Sequence, residues 1–133
     1  MNEQLRRQVR QRARDRCEYC RLPQKGTVLT HEVDHIRSQK HGGKTTLDNI
    51  CWACAWRNSF KGTDIAAYPP GQAQIVRLFD PRSDAWDDHF FWEGAVLRSK
   101  TPTAAATIEL LRINQRERVE HRRLLMRQGL WDK

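Results

Sequence analysis

A short stretch of the chain contains residue types that together can hydrolyse a phosphodiester bond with the help of a metal ion. Asp34 and His35 are adjacent, and they are followed by Gly42-Gly43, by Asn49 and by Asn58. A carboxylate and an amide oxygen can hold a hard divalent cation, and a neutral histidine can take a proton from water. The order and spacing of these residues therefore predict a compact, metal-assisted hydrolytic site.

The charge of the chain favours a polyanionic partner. Its 133 residues include 24 Lys and Arg against 16 Asp and Glu, which gives a net charge of +8. Basic side chains that neutralise phosphates release counterions, and this release favours nucleic-acid binding. Many small soluble proteins are also basic, so the charge alone does not decide the partner. The length predicts one domain, residues 1–133, with a modest core.

The sequence also indicates a compartment. It has no apolar run of about 18 residues, so we expect no membrane-spanning helix. The N-terminus lacks the apolar stretch of a secretory signal, and the expected location is therefore cytoplasmic. Four cysteines in such a chain favour metal binding or free thiols over disulfides.

Hydrophobic and breaker patterns predict the elements that position the candidate site. Residues 3–16 are predicted to form a strongly basic helix, one face of which either contacts phosphates or is simply solvated. A strand over 27–33 is expected to run into Asp34-His35 and to pair with a second strand over 49–53. A helix over 58–67 follows, with Asn58 at its start, and Pro69-Pro70-Gly71 ends it.

The C-terminal part is predicted to add a strand, a hairpin and two helices. The strand covers 74–79, and the hairpin joins 89–92 to 95–97. Pro102 opens a helix that continues to Ile113. Asn114 is predicted to cap a last helix that reaches about residue 128.

At the candidate site the sequence resembles the HNH endonucleases, the ββα-metal nucleases. The matching text is Val33-Asp34-His35-Ile36, His41-Gly42-Gly43, Leu47-Asp48-Asn49-Ile50 and Asn58-Ser59-Phe60-Lys61-Gly62, preceded by Cys17-x-x-Cys20. The resemblance covers about residues 14–66 and implies an α+β fold. Its ββα-metal core would follow the basic N-terminal helix and precede a C-terminal extension, about residues 72–133, made of the hairpin and helices.

The resemblance also implies a role for each matching residue. Asp34 and Asn58 would hold the catalytic divalent ion, Mg²⁺ or another cation such as Mn²⁺ or Ni²⁺. His35 would be the general base, and Asn49 would brace the loop between the strands and orient the imidazole through a backbone hydrogen bond. The implied activity is one-metal cleavage of DNA, most readily double-stranded DNA. The candidate phosphate contacts are Arg6, Arg10, Arg14, Arg57, Lys61 and His41.

The cysteines depart from the family's pattern. By spacing alone, Cys17-x-x-Cys20 and Cys51-x-x-Cys54 look like a four-cysteine zinc site. In the family register, however, the second pair falls at Cys54 and at position 57, which is Arg57. On a regular strand Cys51 and Cys54 point to opposite faces. Either Cys51 or another donor completes a structural Zn²⁺ site, or the cysteines pack as small apolar residues without a metal.

The sequence allows three interpretations of the function. The chain is either an active nuclease or a nucleic-acid-binding module that keeps the fold without catalysis. A third interpretation is a nuclease that works only with a protein partner, for which the aromatic segment 86–92 is the candidate contact surface. The intact Asp34, His35 and Asn58 favour the active enzyme, although they do not distinguish DNA from RNA.

Overall fold

The computed structural model describes residues 2–131, and it is an α+β protein, as the sequence predicts. In these residues the strands form three two-stranded antiparallel sheets, each made of two strands that follow one another in the chain: the first with the second, the third with the fourth and the fifth with the sixth. None of their helices has the length and apolar character needed to cross a bilayer. The helices and strands are α1 (Glu3–Arg12), β1 (Glu32–His35), β2 (Ile50–Ala53), α2 (Ala55–Lys61), β3 (Ala66–Ala67), β4 (Val76–Arg77), α3 (Trp86–His89), β5 (Phe90–Glu93), β6 (Val96–Ser99), α4 (Pro102–Leu110) and α5 (Arg116–Arg127).

Helix α1 is shorter than predicted and packs on the β1–β2 hairpin. It ends at Arg12 rather than at residue 16, because Arg14 and Asp15 adopt left-handed φ angles of 56° and 55°. Val9 is buried against Trp52 of β2. The guanidinium of Arg12 donates to the backbone oxygen of Ile50 at 2.6 Å. The helix is therefore tied to the hairpin by packing and by an arginine that faces the protein.

Strand β1 begins later than predicted, and it contains the Asp-His pair instead of preceding it. Residues 27–31 are irregular because the side-chain amide of Gln24 forms hydrogen bonds with backbone groups of this segment. Gln24 Nε2 donates to Leu29 O at 3.0 Å, and His31 N donates to Gln24 Oε1 at 2.6 Å. In the observed register Asp34 faces Cys51 and His35 faces Ile50.

Helix α2 also differs from its predicted bounds of 58–67. It begins at Ala55, directly after Cys54 as the N-cap residue, and it ends at Lys61 where Gly62 takes a φ of 52°. Asn58 consequently lies in the middle of the helix rather than at its start. The early start places Cys54 at the junction of β2 and α2, where its side chain is buried.

The C-terminal part contains the predicted hairpin, β5–β6, and the predicted helix after Thr101. The Thr101 hydroxyl caps α4 by accepting from Ala104 N at 3.1 Å. Two predictions are wrong in detail: the strand over 74–79 shrinks to β4, and Asn114 does not cap α5. Asn114 instead pairs with the backbone of Leu97, donating to its oxygen at 2.7 Å and accepting from its nitrogen at 3.0 Å.

The aromatic side chains of this part join the main core. Phe90 is buried against Phe79, and Trp86 packs on Phe90 with 5.1 Å between ring centroids. The indole of Trp86 donates to Tyr19 O at 3.0 Å, which connects α3 to the chain after α1. The rings of Trp86, Phe90 and Trp92 therefore pack against one another, whereas Phe91 is exposed.

Candidate active site

A cleft at the end of β1 brings three predicted site residues together. Asp34 and His35 line it from the strand, and Asn58 lines it from α2. The hairpin and the following helix produce this convergence, because α2 begins directly after β2 and returns past the end of β1. Ser38 borders the same cleft from the loop that follows β1.

Asp34 is held almost entirely inside the protein, with 6 % of its surface exposed. Its Oδ2 lies 3.2 Å from the ammonium of Lys61 and accepts from the Tyr19 hydroxyl at 3.3 Å. Burial raises the pKa of Asp34 above its usual range, although the charge of Lys61 and these hydrogen bonds lower it in part. The carboxylate is therefore fixed through one oxygen.

The imidazole of His35 is oriented by a side chain that the sequence did not single out. Its Nε2 lies 2.8 Å from the hydroxyl oxygen of Thr45, in the loop between the two strands. Threonine is common in loops, and no local pattern distinguishes Thr45 from Thr46, so only the three-dimensional contact identifies it.

The side chain of Asn49 makes three hydrogen bonds across that loop. Its Oδ1 accepts from Arg37 N at 2.9 Å, and its Nδ2 donates to Arg37 O at 2.9 Å and to Lys44 O at 2.8 Å. Gly43 is required here because a Cβ would lie 1.7 Å from Arg37 O. The backbone oxygen of Asn49 also accepts from Ile36 N at 2.9 Å, directly after His35. Its side chain holds Lys44, and the adjacent Thr45 contacts the imidazole.

Asn58 is oriented by a carboxylate. Its Nδ2 donates to Glu32 Oε2 at 3.2 Å. An amide that uses its nitrogen in this way keeps its oxygen as an acceptor. Glu32 was not predicted as part of the site, although a strand places it on the same face as Asp34.

The comparison with known families agrees with this geometry. Residues 17–59 match the family model described as HNH endonuclease. This segment belongs to the HNH family. No curated protein and no solved structure matches the chain. HNH proteins are generally nucleases that use divalent metals and act on nucleic acids, so the family suggests nuclease activity for the segment.

Two cations of the HNH segment and its helix were predicted to contact phosphates, and their burial contradicts this. Lys61 is 2 % exposed, and its ammonium donates to His35 O at 3.1 Å besides pairing with Asp34. Arg57 is 1 % exposed, and it donates to the backbone oxygen of Leu111. Both residues lie on one face of α2, four residues apart, and this face is turned towards the protein.

The four other residues predicted to contact phosphates differ in whether their side chains already contact another residue of the protein. Arg6 stacks on the ring of Trp52 at 5.0 Å, and Arg10 pairs with Asp15 at 3.1 Å. Arg14 and His41 are exposed to solvent. These four residues stay predicted phosphate contacts, with Arg6 and Arg10 also serving the fold.

Three cysteines of the HNH segment form a buried cluster. The sulfur atoms of Cys17, Cys20 and Cys54 all lie within 4.8 Å of one another. The Sγ atoms of Cys20 and Cys54 are 3.8 Å apart. A Zn–S bond of about 2.3 Å gives a tetrahedral S–S edge of about 3.8 Å, so the cluster fits zinc. Hydrogen bonds from the other two thiols hold the pKa of Cys20 well below its usual range.

Cys51 does not belong to this cluster, which contradicts its prediction as a zinc ligand. Its Sγ lies 3.7 Å from the Tyr19 hydroxyl and 3.9 Å from Asp34 Oδ2, on the active-site side of β2. Burial raises the pKa of Cys51 well above its usual range. The strand turns Cys51 and Cys54 to different sides, as the strand periodicity predicts.

Proposed function

We propose that this chain is a metal-dependent DNA endonuclease with a ββα-metal core, which uses one catalytic cation and a histidine base. The observation that carries the proposal is the cleft in the HNH segment, where Asp34, His35 and Asn58 converge and each is oriented by a neighbour. The HNH match and the net charge of +8 support a nucleic-acid substrate.

Asp34 and Asn58 would hold the catalytic cation through their Oδ1 atoms. Within the described residues, the side-chain donors that contact Asp34 all lie on Oδ2, and Asn58 uses Nδ2 for Glu32. Two hard oxygen donors suit Mg²⁺, Mn²⁺ or a similar ion that keeps several positions for water or phosphate. When bound, such a cation supplies Lewis-acid stabilisation to the phosphate and to the leaving oxygen.

His35 would accept a proton from the attacking water. In the tautomer that donates Nε2–H to Thr45, the lone pair of Nδ1 is available for this proton. General-base catalysis of this kind contributes about 10²–10⁴-fold in rate. The Asn49 brace limits the movement of the loop that holds Thr45, and it therefore limits the movement of the imidazole.

The substrate would lie across the cleft. Ser38 is buried at its edge, and its hydroxyl has no hydrogen-bond partner within residues 2–131, so it can donate to a phosphate oxygen. Lys40 borders the same cleft and is exposed. Phosphate contacts of this kind supply affinity without reading base sequence. Double-stranded DNA is the proposed substrate, and the cytoplasm is the proposed location.

The cysteine cluster would hold a structural Zn²⁺ through Cys17, Cys20 and Cys54. It connects the turn after α1 to the junction of β2 and α2, which are far apart in sequence. A metal bound there would stabilise the fold because the unfolded chain has no preformed site.

One observation favours a second candidate, a module that binds nucleic acid without cutting it. The ammonium of Lys61 already neutralises Asp34, so the cleft can stay folded without a catalytic cation. This candidate predicts DNA binding that does not depend on divalent metal.

Plasmid cleavage tests the proposal. The zinc-loaded chain is incubated with supercoiled plasmid in Mg²⁺ or Mn²⁺, with EDTA as one control and a His35→Ala preparation as the control for contaminating nucleases. We expect metal-dependent nicking or linearisation that the variant lacks. A gel shift without cleavage would favour the binding module, and equal cleavage of structured RNA would broaden the substrate class.

Removal of the Thr45 hydroxyl is expected to slow cleavage without weakening DNA binding. Thr45→Val keeps the shape of the side chain but releases His35 Nε2, so kcat should fall by about 10-fold to 100-fold. Thr45→Ser, which keeps the hydroxyl, should restore most of the activity. Thr46→Val is the matched control, since the Thr46 hydroxyl contacts Asp48 instead. Equal losses in both valine variants would show a general loop defect.

A further inference from the structure

A small cavity lies against the cysteine cluster. It is bordered by Cys20 and Cys54 on one side and by Arg57, Arg122 and Trp131 on the other. Its volume is about 20 Å³, which is enough for one water-sized ligand. The family register places a fourth cysteine at position 57, and this chain has an arginine there. The cavity therefore lies beside the residue that stands in place of the family's fourth cysteine.

Two of the residues that line this cavity each carry a hydrogen-bond donor that has no partner within the described residues. These donors are Nε of Arg57 and Nε1 of Trp131, both buried. A guanidinium and an indole can only donate, so the missing partner must be an acceptor. A buried donor without an acceptor costs about 1–3 kcal/mol, and native structures seldom leave one without a water or an ion.

The charges around the cavity favour an anionic acceptor over a neutral one. Arg57 and Arg122 are buried cations, and the ion pairs of residues 2–131 include neither of them. Arg122 instead donates to Ala95 O at 2.5 Å and to Ile113 O at 2.9 Å. A Zn²⁺ ion with three thiolates has one net negative charge. A bound monovalent anion gives the zinc centre two net negative charges. That charge balances the two guanidinium groups.

We infer that the cysteine-bound zinc keeps its fourth position open towards this cavity and takes an exchangeable halide ion there. Arg57 Nε and Trp131 Nε1 donate to this anion. The inference rests on the zinc part of the proposed function and is independent of DNA cleavage. His121 also borders the cavity, but its ring nitrogens lie outside the group of ligand atoms formed by the three thiols.

X-ray absorption at the zinc edge tests the inference on the full-length, zinc-loaded chain. Samples are prepared with chloride or with bromide as the only halide, and the zinc content of each is measured. We expect one zinc per chain, three sulfur neighbours and one further neighbour that becomes a heavier scatterer in bromide. Arg57→Cys should give four sulfur neighbours and no response to bromide. His121→Ala should behave like the unchanged chain.

Trp131→Phe provides a variant that leaves every thiol in place. It removes one of the two donors. With bromide as the only halide, the bromide concentration that occupies half of the zinc sites should therefore rise by about 2- to 10-fold at unchanged zinc content. Arg118→Met is the matched control, because Arg118 borders the cavity but stacks on Trp56 at 4.1 Å.

The outcomes distinguish the inference about the anion from the proposals of bound zinc and of nuclease activity. Identical spectra in the two halides, or a nitrogen neighbour that His121→Ala removes, would overturn the exchangeable anion while leaving the zinc intact. A chain that binds no zinc would overturn both. Plasmid cleavage is scored separately, so failure of the nuclease proposal is recognised independently of either result.

Discussion

Replacement of His35 by alanine is expected to lower kcat for plasmid cleavage by about 10²–10⁴-fold, which is the usual contribution of a general base. The imidazole borders the cleft and is held at Nε2 by Thr45, so its other nitrogen can take the proton of the attacking water. Alanine removes that acceptor but leaves Asp34 and Asn58 in place. Single-turnover cleavage with saturating enzyme measures the chemical step directly, and a gel shift in Ca²⁺ measures DNA affinity.

The matched control for this experiment is His41→Ala. His41 lies in the same loop region and is exposed, and its predicted role is phosphate contact. Its loss should weaken DNA binding modestly and leave the rate of the bound complex nearly unchanged. If both alanine variants lose affinity alike and neither loses rate, the base is a different group.

The residues proposed to carry the chemistry can be identified in the sequence because their types and spacing are local properties. Asp34 and His35 are adjacent, and Asn49 and Asn58 follow at intervals that one hairpin and one helix can bring together. Asn49 bonds to Arg37 and Lys44 in the structure, because an asparagine beside a glycine loop has both a donor and an acceptor to offer.

Element boundaries were harder to predict because side chains compete for backbone groups. The β-branched run over 27–33 has strand propensity, but the Gln24 amide binds the backbone of Leu29 and His31 and prevents pairing there. Asn114 has the residue type of a helix cap, yet it binds the backbone of Leu97 instead. Both cases depend on which backbone group a side-chain amide binds, and residue type alone does not determine that.

Whether a given basic side chain is buried or exposed was the feature least predictable from the sequence. Lys61 and Arg57 belong to a basic chain, and Arg57 directly precedes Asn58, a proposed metal ligand; both facts favour phosphate contact. Both are buried because α2 contains them four residues apart, on one face of the helix, and that face packs against the protein. Which face of a helix meets the core depends on tertiary contacts, and the local sequence does not contain them.

Replacement of Lys61 by methionine is expected to lower the free energy of unfolding by about 3–5 kcal/mol at neutral pH, because it leaves a buried carboxylate without its cation. The ammonium lies 3.2 Å from Asp34 Oδ2 and also donates to His35 O and Ile36 O. Methionine fills a similar volume but makes none of these bonds. Urea denaturation measures the change, and Lys25→Met, at an exposed lysine, is the control for loss of a positive charge.

The pH dependence of this variant distinguishes an unpaired charge from a simple packing defect. Burial already raises the pKa of Asp34, and removal of Lys61 removes the largest effect that lowers it. An unfolded aspartate has a pKa of about 3.9, so above that pH the folded variant binds more protons than the unfolded chain. Its stability should therefore fall as the pH rises from about 4 through the raised pKa, and the deficit should be smallest in acid.

The double variant Asp34→Asn with Lys61→Met completes the test. Both charges are then absent, and replacement of a buried ion pair by neutral groups is often nearly neutral in stability. We expect the double variant to recover most of the loss seen in Lys61→Met and to show no such fall in stability between pH 4 and neutral pH. A loss below about 1 kcal/mol in Lys61→Met, with no pH dependence, would mean that the pair is solvated like a surface salt bridge. In that case Lys61 would again be free to meet a phosphate in the cleft.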